Sequence, residues 1–371
     1  MNGERMTDPI VRVEPIVLRI PFDDGGKGQG ITPTKWTNLD IVLVRVETRD
    51  GVVGWGEGFG YMCQHATAMA VRDLVAPAVV GLDSKDPASV TLAAQKALAL
   101  FGRYGVTMFA ISGLDIALWD VAGKREGLSL ARLIGGRKRD SIRAYASLVR
   151  YGDVERVQHF AAEAAALGYD EVKLHEVEPD TIGAGRRGAG AHARVTIDVN
   201  CQWDIAKIRA MLPVLRDNRI DWLEEPTFPP EDPAPWRMIA AEGIAVAAGE
   251  NACTAVEFER LVAALDVVQP SVTKVGGVTE FLKVAEIART AGKRMAPHSP
   301  YFGPGYWASL QLAAALPSVW HQVGLRCRTR CSNIFMSNRT PGARPARRSR
   351  WTEGCPYPTL PASDSSRTQR S

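Results

Sequence analysis

Three acidic residues recur along the chain at a constant interval, since Asp198, Glu224 and Glu250 lie 26 residues apart. Each of them closes a short apolar run that is typical of a β-strand. A strand, a helix and their two loops take about this many residues in a (β/α)-barrel, and such barrels place their chemistry at the carboxyl ends of the strands. Three carboxylates that meet there are suitable ligands for a hard divalent cation, and the sequence predicts Mg²⁺.

The same spacing continues on both sides of the acidic residues. Lys173 and His175 end an apolar run, and Lys173 lies 25 residues before Asp198. Lys274 follows a later run, and His298 ends another. Side chains two residues apart leave the same face of a strand, so Lys173 and His175 are expected to point the same way. We therefore predict that these basic side chains lie at the same end of the barrel as the acids.

Length and composition limit the class of protein. The 371 residues exceed one typical domain, and a hydrophobic content of 46% is enough for one barrel plus a smaller unit. No apolar run is long enough to cross a bilayer, and the first residues lack an apolar signal core. The six cysteines form no CxxC pair. These features predict a reduced, cytoplasmic protein without a membrane partner.

The positive charge of the chain is concentrated in its last segment. Residues 322–371 contain ten Arg and two acidic residues, a net charge of +8, whereas the whole chain carries +4. The preceding residues therefore carry a net charge of −4. A nucleic-acid-binding protein normally spreads its basic residues over a folded face, so we expect no nucleic-acid partner.

The composition and the hydrophobic pattern of the sequence divide the chain into three parts. Residues 1–140 mix strand-like and helix-like patterns and predict an α+β unit, residues 141–321 carry the barrel pattern, and residues 322–371 are predicted to be a disordered tail. Two Gly-rich stretches, 23–30 and 58–61, are either solvated turns or mobile lids over the barrel mouth.

The chain carries six short motifs in a fixed order. They are Ala110–Lys124 (AISGLDIALWDVAGK), Asp198-Val-Asn200, Leu223-Glu-Glu-Pro226, Gly249-Glu-Asn251, Lys274-Val-Gly-Gly277 and Pro297-His-Ser-Pro300. Together, in this order and at this spacing, they resemble the enolase superfamily in its mandelate racemase/muconate lactonizing branch, and within it the racemase-like group. The resemblance covers roughly residues 10–320.

The resemblance implies a modified (β/α)7β barrel, which is TIM-like, with an N-terminal α+β capping domain. It also implies Mg²⁺-assisted removal of the proton α to a substrate carboxylate, and we expect a homo-oligomer acting on a small carboxylate. The positions that match the metal ligands are Asp198, Glu224 and Glu250, and those that match catalytic groups are Lys173, His175, Lys274 and His298.

The chemistry of such a proton explains why these groups are needed together. Removing it places a second negative charge on an already charged carboxylate, and a divalent ion spreads that charge in the enediolate. A base on one side and an acid or second base on the other complete the reaction. The sequence favours a lyase that dehydrates a sugar acid or related α-hydroxy acid. A racemase or epimerase and a cycloisomerase are the alternatives.

The identity of the base is left open between three residues. The branch commonly has Lys-x-Lys where this chain has Lys173 and His175, and a neutral imidazole is a workable base near pH 7. The seventh-strand histidine of the group is usually oriented by an Asp, and Ser271 stands at that position here. His298 is therefore expected to be a weaker base that serves better as an acid. Lys274 matches the base of the muconate-like group.

Two stretches do not fit the barrel pattern. Residues 183–194 are rich in glycine where a helix is expected, and the resemblance ends near Val319, before the final strand and the C-terminal cap segment. We expect these last elements to be missing or aberrant. One hypothesis is that both stretches are read in a shifted frame, which would make the chain an inactive, incompletely folded product. A genuine Arg-rich tail is the alternative.

Overall fold

The computed structural model describes residues 7–22, 36–316 and 323–326 of the chain. These residues form two units that follow each other in sequence. The first is a three-stranded antiparallel sheet with helices packed on it, and the second is a parallel sheet whose strands alternate with helices. This architecture confirms the predicted α+β capping domain followed by a (β/α)-barrel unit. The predicted loop at 23–30 lies outside the described residues.

The capping sheet is built from two long strands and one short strand. The strands are β1 (Ile10–Pro21), β2 (Asn38–Thr48) and β3 (Val53–Gly58), and β2 lies between the other two. The turn between β2 and β3 contains Asp50 and Gly51, and Gly51 has a φ of +81°. Glycine adopts this conformation without steric cost, which is why the Asp-Gly pair predicts a hairpin here.

One helix dominates the packing of the capping domain. It runs from Gly105 to Glu126 and has the length and hydropathy of a membrane span, the one such helix in the described part of the chain, but it is largely buried inside the protein, as a core helix is. The helices of this region are α1 (Gln64–Ala70), α2 (Ala76–Val79), α3 (Pro87–Ala97), α4 (Gly105–Glu126) and α5 (Leu130–Leu133), with a π-helical segment Val71–Val75 between α1 and α2 and a 3-10 turn Ala99–Phe101.

The strands of the second unit are short and parallel. They are β4 (Ala144–Ser147), β5 (Glu171–Leu174), β6 (Arg194–Asp198), β7 (Ile220–Glu224), β8 (Val246–Ala248), β9 (Val267–Val268), β10 (Arg294–Met295) and β11 (Val323–Arg326). Consecutive strands from β4 to β10 are neighbours in the sheet. Parallel neighbours need a crossover between them, and the helices in the sequence supply it. All carboxyl ends therefore meet at one edge.

In the described part of the chain, seven helices cover the parallel sheet and bury an apolar layer against it. Val172, Ile197 and Leu223, for example, are inaccessible to solvent in this layer. The helices are α6 (Val154–Ala166), α7 (Pro179–Ala189), α8 (Ile205–Asp217), α9 (Ala234–Ala241), α10 (Thr254–Leu261), α11 (Gly277–Thr290) and α12 (Pro304–Ala315), with a 3-10 turn Val262–Ala264 after α10.

The last strand of the sheet differs in part from the prediction. Four residues of the segment 322–371 form β11, which pairs in parallel with β4, so the final strand is short rather than missing. Within the described residues β10 and β11 form the two edges of the sheet and are not paired with each other. The rest of the predicted disordered tail lies outside the described residues.

The Gly-rich stretch also differs from the prediction, because it forms most of helix α7. A Cβ on Gly188 would lie 2.2 Å from the backbone oxygen of Gln158 in α6, and a Cβ on Gly185 would lie 2.3 Å from Leu174 in β5. These two glycines let α7 approach its neighbours closely. The stretch has a low intrinsic helix propensity, but the close packing that its glycines allow accommodates the helix. The hypothesis of a shifted reading frame is not tested by this packing and stays a prediction.

Candidate active site

The three acidic residues meet at the carboxyl edge of the parallel sheet. Asp198 and Glu224 are the last residues of β6 and β7, and Glu250 lies two residues after β8. Each offers a carboxylate oxygen within 4.8 Å of the others. Asp198 and Glu224 are buried and Glu250 is half-buried. Three carboxylates this close, buried or half-buried, repel one another, so the donor set fits a bound divalent cation.

The surroundings shift the pKa values of the three carboxyl groups in different directions. Burial raises the pKa of Glu224 to about 8, and the neighbouring Lys173 only partly opposes this rise. Burial also acts to raise the pKa of Glu250, but His298 outweighs it and brings the value to about 2. For Asp198 burial also acts to raise the pKa, but Lys173, His175 and the backbone N–H of Asn200 together outweigh it and lower the pKa. Each acid is thus tied to a basic neighbour predicted from the sequence.

Lys173 lies between two of the acids. Its Nζ is 2.7 Å from Oε1 of Glu224 and 3.2 Å from Oδ2 of Asp198, and it faces the ring of Tyr145 at 5.7 Å. Burial acts to lower the pKa of Lys173, but the adjacent carboxylates raise it well above its usual value. The side chain is therefore a charged donor that holds the acids together.

His175 is held from the side opposite to the acids. Its Nδ1 is 2.5 Å from the carbonyl oxygen of Leu148, and its Nε2 is 3.3 Å from Oδ2 of Asp198. A carbonyl only accepts hydrogen bonds, so Nδ1 carries a hydrogen, and in the neutral ring the lone pair lies on Nε2. Arg150, which the sequence analysis missed, donates from Nε to the backbone oxygen of His175 at 2.5 Å.

His298 contacts the acid at the other end of the group. Its Nε2 is 2.8 Å from Oε2 of Glu250, while its Nδ1 is 3.2 Å from Oγ of Ser271 and 3.4 Å from the hydroxyl of Tyr301. When Nε2 carries the hydrogen that faces the carboxylate, Nδ1 of the neutral ring is an acceptor for a hydroxyl. Burial lowers the pKa of His298, and Glu250 opposes this effect.

Lys274 lies in an aromatic environment that the sequence analysis did not predict. Its Nζ is 4.9 Å from the ring centroid of Phe59 and 5.8 Å from that of Phe109, and it is 3.3 Å from Oδ1 of Asn251. Phe59 belongs to the predicted lid 58–61, and its backbone N–H donates to Thr273 at 3.3 Å. The capping domain therefore touches a candidate catalytic residue directly. Phe59 follows the end of a strand, and no sequence pattern around it predicts a contact with Lys274.

A cavity with an empty volume of about 380 Å³, part of it open to solvent, lies over the acids. Two of the three acids and three of the four predicted basic residues line it, whereas Lys274 and Glu224 do not. The lining residues are Tyr145, Ser147, Lys173, His175, Asp198, Asn200, Glu250, His298, Ser299 and Pro300.

Comparison with known proteins identifies the class to which this fold and site belong. Residues 30–135 match the N-terminal domain of the mandelate racemase/muconate lactonizing enzyme family, and residues 156–341 match the enolase C-terminal domain-like family. The chain belongs to the mandelate racemase/muconate lactonizing enzyme family of the enolase superfamily. The second match extends past Val319, which corrects the expectation that the resemblance ends there.

Several relatives of known activity cover most of the chain. It is 35% identical to the D-galactarolactone cycloisomerase of Agrobacterium fabrum over 74% of this chain and 75% of that protein. It is 29% identical to the arabinonate dehydratase of Saccharolobus solfataricus over 80% and 82%. Among solved structures, an enolase superfamily member from a Polaromonas species superposes with a TM-score of 0.79, 29% identity and 87% coverage of both chains.

Proposed function

We propose that this protein is a Mg²⁺-dependent dehydratase that removes the α-proton of a sugar acid. One observation carries the proposal, namely that an imidazole flanks the acidic group at each end. His175 Nε2 lies 3.3 Å from Asp198, and His298 Nε2 lies 2.8 Å from Glu250. Two proton-transfer groups on either side of a metal-type acid group suit a reaction that takes a proton from one carbon and delivers one to a leaving group.

The three acids and Lys173 stabilise negative charge in this reaction. Asp198, Glu224 and Glu250 hold the cation, which when bound lowers the energy of the negative charge that develops on the substrate carboxylate. Lys173 neutralises two of the acids and adds positive potential beside that carboxylate.

His175 and His298 handle the two protons. His175 takes the α-proton with the Nε2 lone pair, because its Nδ1 hydrogen is bound to Leu148. His298 in its imidazolium form protonates the β-hydroxyl, which leaves as water while a carbon–carbon double bond forms. The resulting enol then converts to a 2-keto acid, so atoms and charge balance.

The relatives support the substrate class and also a second reaction. An arabinonate dehydratase and an L-talarate/galactarate dehydratase are 29% identical to this chain, and both act on sugar acids by their names. The relative at 35% identity is a cycloisomerase of a sugar-acid lactone. A cycloisomerase with Lys274 as base is therefore our second candidate, and a racemase or epimerase that uses both histidines is the third.

A panel of sugar acids and their lactones, incubated with Mg²⁺ in deuterated water, tests the proposal. Proton NMR measures α-deuteration, and semicarbazide detects 2-keto acid products. We expect a 2-keto-3-deoxy acid from at least one acid of five or six carbons. Ring opening of a lactone without loss of water would support the cycloisomerase. Deuteration at the α-carbon with neither a 2-keto acid nor an opened lactone would support the racemase. A cooperative thermal transition with no α-deuteration of any compound would refute all three.

A further inference from the structure

Glu57 lies near the end of β3 in the capping domain and is buried. It is far from the three acids in sequence, and the mechanism above does not use it. Its side chain is only 4% exposed. Its Oε2 accepts hydrogen bonds from the backbone N–H of Gly305 at 2.9 Å and of Gly303 at 3.2 Å, across 248 and 246 residues of sequence. A carboxylate of one domain thus binds the first turn of a barrel helix, α12.

The start of α12 is shaped to receive this carboxylate. The N-cap residue is Gly303, which has no side chain to accept from the first free N–H groups of the helix, and Glu57 supplies the missing acceptor. A Cβ on Gly303 would lie 3.0 Å from Oε2 of Glu57, and a Cβ on Gly305 would lie 3.1 Å from it. Burial raises the pKa of Glu57 to about 7, and these backbone amides oppose the rise.

The segment that leads into α12 carries His298. It leaves the sheet after β10, and within it the hydroxyl of Tyr301 contacts both Nδ1 of His298 and Oγ of Ser271. Glu250 holds the His298 ring at one end of this segment, and Glu57 holds the backbone at the other end. The four residues between His298 and Gly303 are thus anchored on both sides, once by the barrel and once by the capping domain.

We propose that Glu57 is a positioning residue for His298. By binding the start of α12, Glu57 links the docked capping domain to the segment 298–303, orders that segment and sets the imidazole of His298 against Glu250. The part that concerns the reaction rests on the proposed function, in which His298 protonates the leaving hydroxyl. A misplacement of the acid by about 1 Å is enough to slow such a step roughly 100-fold.

The kinetic test separates the step of His298 from that of His175. In Glu57→Ala, dehydration should fall roughly 10- to 100-fold more than α-proton exchange, because only the acid is displaced. Glu57→Gln keeps an acceptor oxygen for the amides and should restore the ratio to within about three-fold of the original. Equal loss of both rates in Glu57→Ala would overturn the proposal, since general destabilisation predicts that result.

Asp120 provides the matched control. It is 1% exposed on α4, and its Oδ2 accepts from the backbone N–H of Trp55 at 2.8 Å, on the same strand as Glu57. Asp120→Ala should lower the melting temperature of the protein but leave the ratio of dehydration to exchange unchanged. A changed ratio in this variant would mean that any damage to the capping sheet has the same effect, and would overturn a specific role for Glu57.

A second measurement does not depend on the proposed reaction. Hydrogen exchange followed by mass spectrometry should show faster exchange of residues 298–306 in Glu57→Ala than in the original protein or in Asp120→Ala, with β5 and His175 unaffected. Unchanged protection of 298–306 would overturn the positioning role even if no substrate is found. Faster exchange there, with no turnover of any sugar acid, would instead refute the proposed function and leave the structural link intact.

Discussion

The ammonium group of Lys173 lies 2.7 Å from a carboxylate oxygen of Glu224, in a part of the barrel where both side chains are buried. It also reaches Asp198 at 3.2 Å, so one cation bridges two members of the acidic group. An ammonium that gives its hydrogens to two carboxylates has no lone pair to offer a substrate. This contact suits Lys173 for charge compensation, and our proposal therefore gives the role of base to His175.

The acidic group should be required for metal binding. We expect Asp198→Asn and Glu250→Gln each to weaken Mg²⁺ binding by roughly 10- to 100-fold and to abolish Mg²⁺-dependent turnover, because a carboxylate supplies both charge and ligand. Isothermal titration calorimetry and circular dichroism report binding and folding separately. Asp221→Asn is the control, since Asp221 forms only a partly exposed ion pair with Arg294 at 3.3 Å. Unchanged affinity in either variant would remove that residue from the site.

The two histidines should affect different steps. His298→Asn should retain exchange of the α-proton with deuterated water while dehydration falls by roughly 100- to 10,000-fold, the usual loss for a general acid. His175→Asn should lose both, because the first step precedes the second. Proton NMR on a turned-over substrate measures exchange and product in one sample. If His175→Asn exchanges the α-proton at the original rate, Lys173 or Lys274 is the base instead.

The aromatic contact of Lys274 should contribute to activity. Phe59→Leu keeps the apolar bulk but removes the ring at 4.9 Å from Nζ, and it should lower kcat/KM by roughly 2- to 30-fold. Phe59→Tyr keeps the ring face and should retain most of the rate. Phe160→Leu is the control, because that ring stacks on Tyr151 instead. Equal rates for the two Phe59 variants would show that the cation–π contact is unimportant.

A buried acid between the two domains should make stability depend on pH. Asp115 of α4 accepts from Thr91 at 2.7 Å and from the N–H of Thr279 at 3.0 Å, and burial raises its pKa from 3.8 to about 6. The folded-state value lies above the unfolded one, so its contribution is full below pH 4 and is lost as the pH rises through 6.

The variant Asp115→Asn isolates this contribution. The free energy of unfolding of the original protein minus that of Asp115→Asn should fall by about 2 kcal/mol between pH 4.5 and 7.5. Urea unfolding at several pH values measures it, and any effect of the amide that does not depend on pH cancels in the comparison. A difference that is constant with pH, or that rises with it, would contradict the assignment.

Two glycines of α7 should respond oppositely to the same substitution. Gly188→Ala should destabilise the protein by about 1–3 kcal/mol, because its Cβ would lie 2.2 Å from the backbone of Gln158. Gly183→Ala should stabilise it by up to about 1 kcal/mol, since its Cβ would meet the flexible end of Arg187 at 3.3 Å and Oδ1 of Asn218 at 3.8 Å, and no backbone atom. Thermal unfolding of both variants measures this. Stabilisation by both would mean that α7 does not pack closely on α6.

The placement of the acidic group could be predicted because it depends on periodicity along the chain. Asp198, Glu224 and Glu250 end successive parallel strands, and a parallel sheet brings all such ends to one edge whatever lies between them. The same reasoning placed His175 and His298 near the acids. It failed for α7, because helix propensity is a local quantity, whereas the close approach of Gly185 and Gly188 to their neighbours is decided by packing.

The sequence alone thus determined the class of fold, the acidic group and the basic residues around it, since these follow from strand ends repeated at a constant interval. Only the tertiary structure decided which base each acid contacts, and which residues of the capping domain reach the barrel. Phe59 contacts Lys274, and Glu57 accepts from the first turn of α12. More than half of the chain separates the two residues of each pair. Such contacts arise when two separately folded surfaces dock, and no local pattern records how those surfaces meet.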